Sequence, residues 1–212
     1  MRKRTILMMG TAVFTLLFGF GLLGCEVGDG AEIIDRNAFM LEGQVYDGDF
    51  DPYIGPEMTF IGFAGENNSP KLLSVVGLDP VTVSPDGELE YNLKPPANLD
   101  ENAIDMTALM GMTLTPETAN VLVIICFITE DGEALRYVKG NGNNLTHEAS
   151  FFYADVACTI QGTTPGSDPM TLNCNLEPGW NTIIQTRATN TMANGTANGF
   201  QWVIGEYHED QD

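Results

Sequence analysis

The sequence concentrates three carboxylates in one short segment, at Asp47, Asp49 and Asp51. Aspartates at alternate positions begin the loops that bind Ca²⁺, because this ion is held by several clustered oxygen ligands. Later positions of such a loop need a Gly at the sharp turn and a bidentate Glu, where this chain has Pro52 and Met58. Two interpretations therefore stay open, a loose calcium site or the acidic tip of a hairpin, and we expect no other cofactor.

Three cysteines, Cys126, Cys158 and Cys174, lie in the part of the chain that is predicted to fold. Cys158 and Cys174 are equally spaced about Gly166, within the turn-forming run 163–169. If the flanking strands pair about that turn, the two cysteines lie directly opposite each other, close to disulfide distance. In an oxidising compartment we therefore expect a Cys158–Cys174 disulfide, with Cys126 as a buried thiol in an apolar strand.

Two tryptophans are candidates for a surface that stacks against sugar rings. Trp202 alternates with Phe200 and Ile204, which predicts a place in the core. Trp180 follows a Pro-Gly turn, where it is either a core residue or an exposed stacking surface. Residues 190–199 are rich in Asn, Thr, Ala and Gly, which predicts a loop. The tryptophans and this loop together suggest carbohydrate binding, with Trp180 as the candidate contact.

No arrangement of residues in the sequence indicates catalysis. The 29 acidic residues would allow a carboxylate pair of the kind that glycoside hydrolases use, but their number singles out no two of them. His147 and His208 are the only histidines, and transition-metal sites usually have more nitrogen or sulfur ligands. The sequence also has no phosphate-binding Gly-rich loop, nucleophile elbow or zinc motif. We therefore predict no catalytic residues.

The elements that would position these residues are mostly short strands. Alternating runs are separated by Gly, Pro, Asn and Asp turns, and Ser84-Pro85-Asp86-Gly87 predicts a hairpin. Residues 119–128 predict one strand, and from Val121 to Ile128 both of its alternating faces are apolar. This pattern predicts a central strand that is buried on both faces. Residues 101–110 predict one short helix with Asp100 as its N-cap. The predicted fold is an all-β antiparallel sandwich over residues 38–206, followed by an acidic tail at 207–212.

The first residues of the chain have the pattern of a secretory leader. Arg2, Lys3 and Arg4 are positively charged, and the next 19 residues, 5–23, carry no charge. An apolar run of this length also approaches the roughly 20 residues that a membrane-spanning helix needs. The leader is therefore either cleaved or kept as an anchor, and the residue that follows it, Cys25, distinguishes the two.

Leu22-Leu23-Gly24-Cys25 resembles the lipobox of bacterial lipoproteins. The resemblance implies that residues 1–24 are a signal peptide, that cleavage follows Gly24, and that Cys25 carries the lipid anchor. Residues 25–37 would then form a flexible tether. An uncleaved anchor helix and a buried structural thiol at Cys25 are the alternatives. The resemblance also implies a bacterial protein anchored to a membrane, on the periplasmic or cell-surface side, and we expect the outer membrane.

The charge of the chain limits its partners. The leader contains three of the nine basic residues, which leaves six against 29 acidic residues and a formal charge of −23. A charge of this sign repels nucleic acid and anionic lipid headgroups. We therefore expect no nucleic-acid partner, a membrane contact only through Cys25, and a protein or glycan as the partner of the folded domain.

Two segments of the predicted domain resemble known sandwich folds. Gly43-Gln44-Val45 and Ser84-Pro85-Asp86-Gly87 are similar to segments of the transthyretin-like and immunoglobulin-like sandwiches of bacterial surface proteins. This resemblance implies a fold and no functional residue. The sequence as a whole predicts a tethered extracytoplasmic lipoprotein with a non-catalytic binding or structural role. The alternatives are a carbohydrate-binding module of the cell surface and a secreted hydrolase that uses a carboxylate pair.

We expect Cys25→Ser to abolish lipid labelling, because the thiol that would carry the diacylglycerol is removed. The variant should then be released or mislocalised, since an anchored chain depends on its acyl groups for membrane affinity. Labelling with a radioactive fatty acid and detergent partitioning measure both effects. Unchanged partitioning of the variant would contradict the lipoprotein interpretation.

Overall fold

Strands account for most of the chain that the structure describes. The computed structural model describes residues 39–65, 70–103, 111–141, 144–165 and 169–206. The leader, the tether with Cys25, and the tail at 207–212 lie outside these residues. The strands are β1 Phe39–Tyr46, β2 Met58–Phe60, β3 Gly62–Ala64, β4 Pro70–Leu72, β5 Val81–Val83, β6 Glu88–Leu93, β7 Met112–Thr115, β8 Val121–Ile124, β9 Cys126–Ile128, β10 Glu133–Asn141, β11 Asn144–Ala154, β12 Cys158–Thr163, β13 Thr171–Leu176, β14 Gly179–Thr186, β15 Thr191–Asn194 and β16 Gln201–Glu206.

These strands form one mixed sheet, which confirms the predicted all-β, sandwich-like fold. Along its main path the strand order is β2-β5-β6-β1-β16-β10-β11-β14-β15-β13-β12-β7. Two neighbouring pairs, β1 with β16 and β13 with β15, are parallel. The prediction of a purely antiparallel sheet is wrong at these two pairs. Parallel neighbours are not joined by a hairpin, so no turn signal in the sequence marks them.

The β10–β11 hairpin opens into a fork, and the apolar segment 121–128 lies across the opening. Its stem runs from the pair Asn141–Asn144 to the pair Tyr137–Ala149. Beyond the stem, β10 pairs with β9, and β11 pairs with β8. Both pairs are antiparallel although β8 and β9 follow each other along the chain. The two arms of the fork must therefore point away from each other.

The segment 121–128 bends at Ile125, where its neighbours change. The Ile125 N–H donates to Ala64 O at 2.8 Å, and from there β9 pairs with β3. Every residue of β8 and β9 is buried, which confirms the predicted central strand with two buried faces. In an unbroken strand, alternation of the side chains would place Phe127 on the same face as Val123. Instead, Phe127 packs in the same hydrophobic cluster as Leu122. The bend at Ile125 thus reverses the alternation.

Two hydrophobic cores lie on opposite faces of β8 and β11. Leu122 and Phe151 belong to the first core, which also contains residues of β1, β5, β6 and β16. Val123 and Phe152 belong to the second core, with residues of β7, β12, β13 and β14. Burial stabilises by about 25 cal/mol per Å² of apolar surface. Because both cores pack against the same pair of strands, the stability of each depends on that pair.

The helix differs from its prediction at both ends. It spans Leu99–Asn102, and the extended backbone of Ala103 (φ −63°, ψ 156°) ends it. The predicted range 101–110 is therefore wrong, and the part of that range after Ala103 lies outside the described residues. Asp100 is not the N-cap: it lies in the first turn, where its Oδ1 accepts a hydrogen bond from Asn120 Nδ2 at 3.0 Å. The carboxylate that was expected to cap the helix is therefore hydrogen-bonded to a residue that is distant in sequence.

Cys158 and Cys174 are not at disulfide distance, so the expected bridge is absent from the structure. Cys158 pairs with Leu176, and Ile160 pairs with Cys174. The cysteines are therefore diagonal neighbours, which are separated by about 7–8 Å in antiparallel sheets. All three thiols of the described residues, including Cys126, are free and buried.

The turn before β13 explains why the predicted register is displaced by two residues. The Thr164 N–H donates to Met170 O at 2.9 Å, and the Met170 N–H donates to Thr164 Oγ1 at 2.8 Å. This pair fixes the partners of every later residue in the two strands. Since side chains alternate with a period of two, the displacement keeps both cysteines on the face toward the second core.

We expect the three thiols to react only after unfolding. Burial raises the pKa of Cys126 and Cys174 to about 11, and it also raises the pKa of Cys158. Little reactive thiolate therefore forms at pH 8. Titration of the lipidated chain with a thiol-reactive chromophore, without reductant, should find three thiols in denaturant and almost none in the native protein.

Cys158→Ser is the matched control for that count. If the thiols are free, the variant has two thiols where the parent has three. If a Cys158–Cys174 bridge exists, the parent has one and the variant has two. The raised pKa values also make the free energy of unfolding depend on pH, because the thiols lose their protons at a lower pH in the unfolded chain than in the folded protein. The contribution of the protonated thiols to stability is complete below the ordinary thiol pKa of 9.0 and is lost as the pH rises toward about 11.

We expect Phe127→Ala to lower the free energy of unfolding by about 3–5 kcal/mol, because it leaves a cavity in the first core beside the fork. Phe127 is fully buried. The control is Ile54→Ala, whose side chain is 86% exposed and whose effect should stay within about 0.5 kcal/mol. Chemical denaturation monitored by tryptophan fluorescence measures both. Equal effects of the two variants would contradict a core organised on the segment 121–128.

Candidate functional site

A cleft opens where β1 and β16 diverge. The two strands pair only at Val45 with Trp202 and at Tyr46 with Val203. The other edge of β1 pairs with β6 along its length. Before Val45, no strand among the described residues pairs with the second edge of β1. Trp202 Nε1 bridges the gap by donating to Glu42 O at 3.3 Å.

Three stacked aromatic rings form the floor of this cleft. The rings of Tyr137 and Trp202 stack with centroids 4.5 Å apart, because the two residues are direct neighbours on β10 and β16. The Phe151 ring lies near both, with its centroid 5.9 Å from that of Trp202 and 6.5 Å from that of Tyr137, and Phe39 adds a tilted ring 5.8 Å from Phe151. Trp202 is only 3% exposed, which agrees with its predicted core position. Tyr137 and Phe39 are half-buried and present part of their surface to the cleft.

The opposite wall of the cleft is polar and is formed by a loop after β15. The Gly195 N–H donates to Thr182 O at 3.4 Å, which holds the loop against β14. A Cβ atom at Gly195 would lie 2.6 Å from Ile184 Cγ1, so this close approach requires glycine. The cleft has a volume of about 490 Å³ and is lined by Phe39, Met40, Leu41, Glu42, Tyr137, Phe151, Thr182, Gly195, Thr196, Ala197, Asn198 and Trp202. We call it the aromatic cleft.

A second hollow of about 310 Å³ adjoins the aromatic cleft. The two share Gly195 and Thr196 in their walls. The second hollow also contains Lys139 and His147, which lie directly opposite each other on β10 and β11. Its lining is Lys139, His147, Ile184, Thr186, Ala193, Asn194, Gly195, Thr196 and Phe200, with no carboxylate. We call it the basic hollow.

The polar groups of the cleft are suited to hydrogen bonding. Burial raises the pKa of Tyr137, so its hydroxyl is protonated at neutral pH and can donate. Glu42 is the only carboxylate in the lining of the aromatic cleft. Thr182, Thr196 and Asn198 add neutral donors and acceptors. An arrangement of apolar rings on one wall and neutral polar groups on the other fits a ligand with both kinds of surface.

Trp180 takes part in structural contacts and lines neither hollow. Its ring meets Tyr153 edge-on, with centroids 5.2 Å apart. Its Nε1 donates to Lys94 O at 3.0 Å, which ties β14 to the chain after β6. The ring also packs against the first core. These contacts explain why Trp180 is half-buried, and its role as a sugar contact stays a prediction.

The acidic segment at residues 47–51 forms a closed turn. Asp47 Oδ1 accepts the backbone N–H groups of Asp49 and Asp51, both at 3.0 Å. Phe50 has a positive φ of 67°, and the turn closes with a bridge between Tyr46 and Pro52. Within the described ranges, no group of three or more His, Cys, Asp or Glu side chains is placed to hold a metal ion. The turn fits the hairpin-tip interpretation, and the calcium interpretation stays a prediction.

The sequence did not single out the residues that form the cleft floor. Phe39, Tyr137 and Phe151 each look like ordinary strand residues, and the cleft exists only because their strands are neighbours. The predicted loop at residues 190–199 was the one available signal, although Thr191–Asn194 forms β15. The remainder of that loop is the polar wall of the cleft.

No protein-family model, curated protein or solved structure matches this chain. None of the helices in the described residues is long and apolar enough to cross a membrane. The arguments for a function therefore come from the leader sequence, the aromatic cleft and the basic hollow.

Proposed function

We propose that this chain is a bacterial lipoprotein that is anchored through Cys25 and binds a ligand in the aromatic cleft without transforming it. The leader and the lipobox-like Leu22-Leu23-Gly24-Cys25 support the anchor. The lipid anchor would then lie in the outer membrane, with the folded domain on the periplasmic or cell-surface side of it. The aromatic cleft is the observation that carries the binding role.

The dimensions and lining of the cleft support ligand binding. Its volume of about 490 Å³ lies within the range of about 300–1,000 Å³ that is typical of small-ligand sites. Its floor belongs to three adjacent strands, so the rings are held in place before a ligand arrives. Preformed sites lose less conformational entropy on binding. Its rim is open, since Met40 is 50% exposed and Thr196 and Asn198 are exposed.

A saccharide is the ligand class that this lining favours. A sugar ring has an apolar C–H face, which stacks on aromatic rings, and a hydroxyl edge, which needs neutral hydrogen-bonding partners. Tyr137 and Phe39 offer aromatic surface, and Thr182, Thr196 and Asn198 offer the partners. This is the carbohydrate-binding alternative with a different set of residues, in which Trp180 has a structural role.

The third alternative, a carboxylate-pair hydrolase, has less support. Such enzymes place two carboxyl groups about 5–10 Å apart across the scissile bond. Among the residues that the structure describes, Glu42 is the single carboxylate of the aromatic cleft, and the lining of the basic hollow has none. In a third hollow of about 150 Å³, beside Arg136, Glu206 is the one carboxylate among the described lining residues. These linings favour binding over hydrolysis.

We expect Ala197→Trp to block the cleft, because Ala197 lies in its polar wall and the new ring would fill the space. An oligosaccharide panel followed by calorimetry should find a ligand whose affinity falls at least about tenfold in this variant, or about 1.4 kcal/mol. Val156→Trp is the control, since Val156 is an exposed apolar residue outside both linings.

Equal binding by both variants would contradict the assignment of the ligand to the aromatic cleft. A panel without any bound saccharide would contradict the carbohydrate proposal itself. The thermal unfolding midpoints of the two variants should agree with that of the parent, because neither substitution removes a core contact.

A further inference from the structure

The basic hollow continues the aromatic cleft, and the two share Gly195 and Thr196. We infer that they bind one ligand together, a saccharide that carries an anionic oxygen group such as a carboxylate or sulfate. The sugar ring lies in the aromatic cleft and the anionic group lies in the basic hollow. This inference rests on the proposed function and specifies the ligand of the same site.

Lys139 is the main reason to expect an anionic group. In the described residues the ion pairs are Lys94 with Asp79 and Arg187 with Glu148, so Lys139 is not in an ion pair. Its stem lies beside the loop, with Cε 3.9 Å from the position of a Cβ at residue 199. An unpaired ammonium at the edge of a polar hollow can pair with a ligand anion.

The other polar groups of the basic hollow complement Lys139. His147 Nδ1 lies 2.9 Å from Thr146 Oγ1, which leaves its second ring nitrogen for a ligand. The hydroxyls of Thr186 and Thr196 make no hydrogen bond to any other described residue and can donate to an anionic oxygen. Asn194 does not contribute, because it exchanges hydrogen bonds with the Asn175 backbone at 2.6 and 2.7 Å.

The charges at the two ends of the site fix the direction of the ligand. Glu42 lies in the aromatic cleft and disfavours an anionic group there, whereas Lys139 favours one in the basic hollow. The remaining chain, with a formal charge of −23 beyond its leader, repels anions elsewhere on its surface. An anionic saccharide would therefore bind at this site rather than along the surface in general.

Other amphiphilic anions fit the lining less well. A fatty acid needs apolar contacts on all sides of its chain, but the wall opposite the rings also presents the polar groups of Thr182, Thr196 and Asn198. A neutral saccharide could hydrogen-bond to both threonine hydroxyls of the basic hollow but would leave the Lys139 ammonium without an opposite charge. A sugar with an anionic substituent uses both walls and the ammonium.

Matched ligand pairs test the inference with the complete lipidated protein in detergent. The probes are tetragalacturonate and its uncharged methyl ester, and a sulfated carrageenan tetrasaccharide with its uncharged, desulfated form. Lys139→Met removes the ammonium and keeps the stem. Lys71→Met is the control, because Lys71 is an exposed strand lysine outside both hollows.

We expect the acidic member of at least one pair to bind at least about tenfold more tightly than its partner, by calorimetry at low salt. Lys139→Met should remove most of that difference, and Lys71→Met should not change it. Higher salt should weaken the acidic member more, because screening acts on the charge pair. The pair that shows the difference distinguishes a carboxylate ligand from a sulfate ligand.

Two results would overturn the inference in distinguishable ways. If both members of every pair bind equally and both are lost in Ala197→Trp, the anionic requirement is wrong while the proposed function stands. If no member of any pair binds although the oligosaccharide panel yields a ligand that Ala197→Trp loses, the inference is wrong while the proposed function stands. A preference for the acidic member that Lys139→Met leaves intact would assign the anionic contact to another residue and overturn the role of the basic hollow.

Discussion

The structure depends on how one apolar segment fills the fork between β10 and β11. Those strands pair only along the stem of their hairpin, and each arm would otherwise expose an unpaired edge. The segment 121–128 pairs with both arms and is buried on both faces. Buried backbone groups need partners, so the fork and the segment require each other. An apolar residue at every position then allows a hydrophobic core on each side.

The aromatic cleft is a consequence of the same fork. Tyr137 lies at the end of the stem, and Phe151 lies just beyond it on the diverging arm. Trp202, opposite Tyr137 on β16, stacks against both of these rings, with centroids 4.5 Å from Tyr137 and 5.9 Å from Phe151. The ring floor is therefore fixed by strand pairing, whereas the polar wall is a loop. A rigid apolar floor with an adaptable polar wall suits a ligand that needs one orientation and several hydrogen bonds.

Local features of the fold were predictable, and features that join distant strands were not. The Ser84-Pro85-Asp86-Gly87 hairpin forms as predicted, with the Ser84 N–H donating to Glu88 O at 3.0 Å and Gly87 at φ 81°. The burial of both faces of 121–128 also follows from composition alone. The bend at Ile125 depends on a bond to Ala64, which is distant in sequence. The predicted helix N-cap was wrong for the same reason, since the Asp100 carboxylate accepts a hydrogen bond from Asn120, which is distant in sequence.

The candidate site was less predictable than the fold, because it is made of side chains from strands that become neighbours only in the folded sheet. Alternation places Tyr137 and Phe151 on one face of their strands, but nothing local indicates that Trp202 of β16 stacks against both rings. The sequence left Trp180 open between a core residue and an exposed stacking surface, because it follows a turn. The hydrogen bond from Trp180 Nε1 to Lys94 O was not predictable, because that partner comes from a segment far away in sequence.

The few basic residues of this acidic chain have distinct surroundings, and this supports a specific role for Lys139. Lys94 and Arg187 are paired with carboxylates at 2.8 Å. Arg136 lies beside the buried thiol of β9. Lys71 lies on β4, which pairs only with β3, and a lysine on such an edge opposes unwanted strand pairing. Lys139 has none of these partners and instead borders a hollow without carboxylates. In a chain with so many acids, a lysine that forms no ion pair among the described residues is available to a ligand.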